Sequence, residues 1–132
     1  MNWGIDVLSM SRFHNGKTDL AVSGPNEGNN IGWPRTGFSG TMGAARAAVG
    51  KGIPAIAFSG DVEHKEHWNE PVSMHSHLYA QLATVITQQL LESGPPFLPE
   101  GIFLNVNFPH IDKYEETCRE LSDFSFHLTR LQ

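Results

Sequence analysis

The residues best suited to chemistry lie in and just after a glycine-rich segment in the first third of the chain. Residues 24–40 carry five glycines, two prolines and three asparagines, Asn26 and Asn30 among them. This composition predicts a long loop whose glycines let the backbone approach a ligand closely. Ser39-Gly40-Thr41 stands at the expected start of a helix, where free N–H groups and the positive dipole end favour phosphate. The pattern therefore predicts an anion site.

The same residues also have a purely structural interpretation. Ser39 could serve only as a helix N-cap, and the glycines could serve only as turn residues. The Gly-Lys-Ser/Thr of a P-loop is missing, and the glycines do not open directly from a strand as in dinucleotide-binding folds. Gly-x-Ser-x-Gly is also absent, which disfavours a serine hydrolase. Spacing alone leaves the anion site and the simple cap both open.

Apolar runs and helical spacing predict the elements that would position this loop. The expected strands are 19–23, 54–59 and 102–106, and the expected helices are 41–49 and about 76–91. Apolar strands joined by helical crossovers predict an α/β fold, a three-layer αβα sandwich with a mostly parallel, Rossmann-like sheet. Ligands in such sheets bind beyond the carboxyl ends of the strands, which is where the loop after the first strand begins.

The two ends of the chain are harder to assign. Ile5, Val7 and Leu8 could begin a strand, because they form a short apolar cluster. The charged tail predicts a helical turn or two within 114–121 and a strand at 124–129.

Charge and composition narrow the choice of partners. The net charge is -5 and the pI is about 5.7, so a broad basic surface for nucleic acid is not expected. A small phosphorylated ligand remains compatible, because backbone amides and a metal bind phosphate without net positive charge. Cys118 is the single cysteine and allows no intrachain disulfide. The first ten residues are unlike a signal peptide and no apolar run could span a bilayer, so we expect a cytoplasmic protein that does not bind membranes.

Four segments, taken in order, resemble one known family. Residues 19–32 read Asp-Leu-Ala-Val-Ser-Gly-Pro-Asn-Glu-Gly-Asn-Asn-Ile-Gly, and residues 39–45 read Ser-Gly-Thr-Met-Gly-Ala-Ala. Residues 52–59 and 99–109 supply two matching strands. Over about residues 18–109 the chain is similar to the SurE family of phosphatases and nucleotidases. Its Ser-Gly-Pro-Asn variant resembles fungal members.

The resemblance implies a hydrolase that removes phosphate from phosphate monoesters, typically nucleoside 5'- or 3'-monophosphates, with a divalent metal such as Mg or Mn. Asn26 matches a metal ligand of the family. Asn30, Ser39, Gly40 and Thr41 match residues that line the phosphate site. A hard cation would polarise the phosphoryl group, and backbone amides would stabilise the charge that develops on it.

The chain also departs from the family pattern. The family's pair of adjacent aspartates, which supply its main metal ligands, has no counterpart in this sequence, and neither has a third ligand, a serine. We therefore expect one SurE-like domain over residues 1–132 that is incomplete at both ends. The alternative function is an inactive remnant that binds phosphate or a partner chain. Glu27 or Asp61 could partly replace the missing carboxylates, and a homo-oligomer is a further expectation from the resemblance.

Other residues have weaker claims to a site. His64, His67, His75 and His77 are spaced in a way that could suit a transition metal, although a polar loop entering a helix explains them equally. Trp33 could stack on a base or simply pack against the loop. Cys118 has no neighbouring base in the sequence to activate its thiol.

Overall fold

Three parallel strands form the centre of the protein. The structure is a computed structural model that describes residues 2–13, 18–62, 67–111 and 118–130. Its elements, in chain order, are a π-helical stretch (Gly4–Ser9) that runs into α1 (Met10–Arg12), β1 (Ala21–Glu27), α2 (Arg35–Phe38), α3 (Gly40–Val49), β2 (Ala55–Gly60), α4 (Met74–Glu92), β3 (Phe103–Phe108) and a 3-10 turn (Leu121–Asp123).

The sheet has the order β1-β2-β3 and every pairing in it is parallel. Ala21 pairs with Ala55, which pairs with Phe103, so the three strands start level with one another. β2 is the central strand, and all six of its residues are buried. A strand that is covered on both faces is mostly apolar, which explains why residues 55–60 show no alternation of polar and apolar side chains. The polar side chain of this strand, Ser59, is buried with a hydrogen bond to Asn107 Oδ1.

The two faces of the sheet are covered by different kinds of side chain. On one face, the alanines Ala55 and Ala57 of β2 meet Ala45 and Ala48 of α3, and we call this group the α3-face cluster. These small side chains let α3 approach the sheet closely. The opposite face is packed by larger residues, with Ile56 and Phe58 of β2 against Leu78, Tyr79 and Leu82 of α4, and we call this group the α4-face cluster. Helices on both faces of a parallel sheet confirm the predicted α/β sandwich.

Serine caps determine where the two long helices begin. The Ser39 Oγ accepts the Met42 N–H at 3.2 Å, and the Ser73 Oγ accepts the Ser76 N–H at 3.4 Å. α4 therefore begins at Met74, two residues before the predicted start. Each serine accepts a hydrogen bond from a backbone N–H group that has no partner within the helix.

The ends of the chain correct two of the sequence predictions. The expected strand around Ile5, Val7 and Leu8 is helical instead. Ile5 packs against the α3-face cluster and Ser9 is buried, a spacing of four that belongs to a helix.

The expected strand at 124–129 is also absent, since the described residues there have no regular structure. Phe124 packs on the α4-face cluster, whereas Phe126 and Leu128 are exposed. Half of the helical turn expected at 114–121, residues 114–117, lies outside the described residues. In the described half, Leu121 begins the 3-10 turn and residues 118–120 have no helical structure. No helix in the described part of the chain has the length and apolar character needed to cross a membrane.

Tyr79 provides a test of the α4 face. Its side chain is 4% exposed, its ring stacks on Phe108 at 5.3 Å, and its hydroxyl donates to the Pro109 carbonyl oxygen at 2.8 Å. Burial, and then the negative charge of Asp61, raise the pKa of Tyr79 from 10.0 to about 12. The neutral phenol is thus the form that the folded state favours.

We predict that absorbance at 295 nm, read after a rapid pH jump, will show Tyr79 ionising near pH 12 in a Tyr114→Phe variant, which leaves one tyrosine. Because the unfolded phenol ionises near 10, its contribution to stability is complete below pH 10 and is lost as pH rises towards 12. In an Asp61→Asn background the midpoint should fall but stay above 10. A midpoint at 10 in the folded Tyr114→Phe chain would contradict the packing described.

Candidate functional site

A single open cleft collects most of the residues that the sequence singled out. It lies at the carboxyl ends of β1 and β2, beside the start of α3, and has a volume of about 600 Å³. Its lining consists of Asn26, Glu27, Gly28, Asn29, Asn30, Arg35, Phe38, Ser39, Gly40, Thr41, Asp61 and Val62. All five predicted site residues are in this set, so the fold brings Asn26 and Asn30 together with the helix start at Ser39-Gly40-Thr41.

An irregularity in β1 delivers Asn26 to the cleft. The register with β2 shifts between Ser23 and Asn26 and then resumes, with Asn26 opposite Ser59. Gly24 occupies this irregularity with a φ of 101°, and a Cβ at this position would collide with the Phe58 carbonyl oxygen. Only glycine combines that backbone conformation with so close an approach. The glycine of the Ser-Gly-Pro-Asn sequence thus has a positional role.

Three hydrogen bonds fix the Asn26 carboxamide. Its Nδ2 donates to the carbonyl oxygens of Glu27 at 2.8 Å and Gly28 at 2.7 Å. Its Oδ1 accepts the Asn30 Nδ2 at 2.7 Å. The nitrogen and oxygen of the amide are therefore distinguished by their partners, and the second lone pair of Oδ1 is the one that a cation would take.

Asn30 lies behind Asn26 rather than at the mouth of the cleft. It is 3% exposed, and its side chain donates to Asn26. The Asn30 N–H donates to Asn107 Oδ1 at 2.7 Å, and the Asn30 carbonyl oxygen accepts Asn105 Nδ2 at 2.9 Å. Asn105 and Asn107 both belong to β3. Sequence reasoning did not include them in the site, although two asparagines in an otherwise apolar strand were a visible signal.

The start of α3 has the form expected of an anion site and of a capped helix together. Ser39 caps the helix, and the first intrahelical hydrogen bond runs from the Gly43 N–H to the Ser39 carbonyl oxygen at 2.9 Å. The N–H groups of Gly40 and Thr41 precede that bond and lie in the cleft lining. Capping by Ser39 therefore leaves two helix-start amides for a ligand.

The charged residues of the lining are linked by Asn29. Arg35 Nη1 donates to Asn29 Oδ1 at 2.9 Å, and Asn29 Nδ2 donates to Asp61 Oδ1 at 3.3 Å. Asp61 is itself held at the sheet edge, since its N–H donates to the Phe108 carbonyl oxygen at 3.1 Å. Sequence reasoning missed Arg35 and Asn29. Arg35 is the only cationic side chain among the described lining residues, and as the one basic residue of segment 24–40 it could have been noticed.

The oxygen atoms of the described residues that line the cleft are of the type that a hard divalent cation prefers, but they are fewer than a complete set of ligands. Asn26 Oδ1 and the carboxylates of Glu27 and Asp61 are all oxygen ligands, the type preferred by Mg²⁺ and Mn²⁺. Within the described residues, however, no three or more His, Cys, Asp or Glu side chains group closely enough to hold a metal ion. The cleft therefore offers part of a ligand shell.

The weaker candidates lie outside the described lining of this cleft. His67 is exposed, and His75 and His77 are on the first turn of α4, where the His75 ring lies 3.0 Å from Ser73 Oγ. His64 is outside the described residues. Cys118 packs on the α4-face cluster.

Two exposed aromatic residues follow the glycine-rich loop, and Phe38 rather than Trp33 is part of the described cleft lining. Trp33 is 83% exposed and lies against Gly37, where an added Cβ would meet its ring at 2.8 Å. Trp33 is not part of the described lining. Phe38, which sequence reasoning did not select, lines the cleft and is 86% exposed.

Comparison with known proteins agrees with this fold. The sequence profile of the family described as "Survival protein SurE" matches residues 2–131. An acid phosphatase of Yarrowia lipolytica is 42% identical over 123 residues, covering 89% of this chain and 34% of the relative. A 5'-nucleotidase SurE of Desulfatibacillum aliphaticivorans is 40% identical over 108 residues, covering 79% of this chain and 38% of the relative.

A solved structure supports the same assignment. The crystal structure of the SurE protein from Aquifex aeolicus superposes with a TM-score of 0.61 at 32% identity, covering 83% of this chain and 38% of that one. The fold and the site define an α/β protein with a parallel sheet and an amide- and carboxylate-lined cleft at the carboxyl edge of that sheet. The chain belongs to the SurE family. It spans well under half the length of these relatives.

We predict that Gly24→Ala will destabilise the chain more than Gly28→Ala. Both glycines have a positive φ, 101° and 81°, but an added Cβ meets no atom within 4 Å at Gly28. The strained φ alone should cost about 1 kcal/mol, and the collision at Gly24 should raise the loss to about 3 kcal/mol. Urea unfolding followed by circular dichroism measures both. Equal losses would show that the close approach to Phe58 does not constrain β1.

Proposed function

We propose that this chain is a divalent-metal-dependent phosphate monoester hydrolase acting on nucleoside 5'- or 3'-monophosphates. The observation that carries the proposal is the convergence, in one cleft, of an oriented carboxamide oxygen at Asn26 and the open helix start at Ser39-Gly40-Thr41. A cation ligand and an anion cradle facing one cleft are what phosphate ester hydrolysis requires.

In this proposal each group has a defined task. Asn26 Oδ1 would hold Mg²⁺ or Mn²⁺, with Glu27 and Asp61 as the carboxylates nearest to hand. When bound, the cation supplies Lewis-acid polarisation of the phosphoryl group and a water of lowered pKa. The N–H groups of Gly40 and Thr41 would bind phosphoryl oxygens at the positive end of the α3 dipole. Asn30 would act from behind by orienting Asn26.

The remaining features of the cleft suit a small phosphorylated substrate. Arg35 brings one positive charge to a lining that otherwise carries two carboxylates. Phe38 offers an exposed aromatic face on which a base could stack. The net charge of -5 argues against nucleic acid as the partner. The relatives named acid phosphatase and 5'-nucleotidase support the same class of substrate.

A second candidate function is phosphate binding without hydrolysis. It is favoured by the missing pair of adjacent aspartates and by the absence of a carboxylate or histidine cluster among the described residues. The helix start needs no metal to attract an anion, so binding could persist where turnover does not. A partner chain, including a second copy of this one, could then supply what the cleft lacks.

The direct test is hydrolysis of p-nitrophenyl phosphate and of adenosine monophosphate by the purified chain, with and without Mg²⁺ or Mn²⁺. We expect metal-dependent phosphate release that falls at least about a hundredfold in Asn26→Ala, since the variant lacks the oriented oxygen. Circular dichroism confirms that each protein is folded. A folded wild-type chain with no turnover under any metal would overturn the hydrolase and leave the binding function.

We also predict that Gly40→Ala will weaken phosphate binding while leaving the fold intact. Gly40 lies in α3 without a positive φ, and an added Cβ meets no protein atom within 4 Å. The substitution should raise the free energy of unfolding by about 0.5 to 1 kcal/mol, as Gly-to-Ala changes in helices do. The methyl group would nevertheless obstruct an anion at the helix start, so the stabilisation by inorganic phosphate in thermal melts should shrink.

Gly43→Ala is the matched control for that experiment. Gly43 lies in the same helix, has equally open space around an added Cβ, and is not part of the described cleft lining. It should gain similar stability and keep its response to phosphate. Identical phosphate responses of the two variants would contradict an anion site at the start of α3.

A further inference from the structure

Two asparagines on β3 face the side of the sheet that α3 covers. Side chains along a strand alternate between faces, and Phe103 of β3 packs against the α3-face cluster. Asn105 and Asn107 share that face, opposite Ala57 and Ser59 of β2. A buried face of this kind ordinarily takes apolar residues, so these two amides need a specific explanation.

Both asparagines hold the backbone of one loop residue. Asn107 Oδ1 accepts two hydrogen bonds, from the Asn30 N–H at 2.7 Å and from Ser59 Oγ at 2.7 Å. Asn105 Nδ2 donates to the Asn30 carbonyl oxygen at 2.9 Å. We call Asn105 and Asn107 the asparagine clamp. It ties the loop that contains Asn30 to a strand 75 to 77 residues away in sequence.

The clamp reaches the candidate cation ligand through one further hydrogen bond. Asn30, held at its N–H and its carbonyl oxygen, donates its Nδ2 to Asn26 Oδ1 at 2.7 Å. The direction of that bond determines which lone pair of Asn26 Oδ1 is free to face the cleft. Ser59 supports the arrangement from β2, where it is fully buried and occupies one of the two acceptor positions of Asn107.

We propose that Asn107 is a positioning residue, which fixes the Asn26 carboxamide oxygen in its cation-binding orientation by holding Asn30. This inference rests on the proposed function for its cation, but the positioning itself is a property of the metal-free chain. Among the described residues, Asn107 Oδ1 accepts hydrogen bonds from Asn30 and Ser59. An aspartate in its place would keep both bonds, and a leucine of similar size would keep neither.

The first experiment follows the side-chain amide NMR signals of Asn26 and Asn30 in metal-free ¹⁵N-labelled protein. In the wild type and in Asn107→Asp both amides should exchange slowly with water. In Asn107→Leu their exchange should accelerate at least about tenfold, because Asn30 is released. Leu104→Ala is the control, since Leu104 is on the same strand but packs against the α4-face cluster. Unchanged Asn26 exchange in a folded Asn107→Leu chain would overturn the proposal.

Ser59→Ala covers the case in which Asn107→Leu does not fold. It removes one of the two donors to Asn107 Oδ1 and changes little volume, so it should accelerate exchange of the Asn30 and Asn26 amides by a smaller factor. If these signals match the wild type, Asn107 does not act through the contacts described.

The second experiment measures Mn²⁺ affinity by electron paramagnetic resonance of the free ion, without any substrate. The dissociation constant should rise about tenfold in Asn107→Leu, and in Asn107→Asp it should equal the wild-type value or fall below it. Equal affinity in the wild type and Asn107→Leu would overturn the positioning role. Absence of Mn²⁺ binding by the wild type would instead refute the cation site of the proposed function, and the amide exchange alone would then decide the clamp.

Discussion

The burial of β2 on both faces is the constraint from which the rest of the structure follows. All six of its residues are buried, because α3 covers one face of the sheet and α4 covers the other. The register of the parallel strands then brings the ends of β1 and β2 to the same edge. Asn26 lies near the end of β1 and Asp61 directly follows β2, so both meet the start of α3 at this edge. The position of the cleft at this edge therefore follows from how the helices cover the sheet.

The asparagine clamp behind the cleft lowers the stability of the sheet but fixes the position of the loop. Asn105 Oδ1 is buried without a hydrogen-bond partner among the described residues, a situation that typically costs about 1 to 3 kcal/mol. Apolar residues at 105 and 107 would pack against α3 without that cost. What the asparagines provide is a fixed position for Asn30, which loop glycines alone could not hold. Retaining polar groups in a core at a cost to stability is expected where a site must be preorganised.

Local signals predicted the central elements, and the residues that they singled out as a candidate site line one cleft. The Ala-rich run before Gly50 and the apolar strand ending at Ser59 can each be predicted from a few neighbouring residues, and the Ser39 cap marks the start of α3. The clamp could not be found in this way, because Asn30 and Asn107 are 77 residues apart and meet only when β3 has paired with β2. Near the N-terminus, Ile5 and Leu8 fit a strand or a helix equally. Only packing of Ile5 against the α3-face cluster decides for the helix.

The proposed anion binding and the proposed hydrolysis depend on separate parts of this cleft. The backbone N–H groups and the dipole at the start of α3 would attract an anion without any metal. Turnover needs in addition a cation held by several oxygens, and the described residues supply Asn26 in a fixed orientation with Glu27 and Asp61 in the same lining. One neutral carboxamide holds a divalent ion weakly, so the second and third ligands decide between the two functions. The clamp would orient Asn26 in either case, which is why its geometry can be tested before the question of turnover is settled.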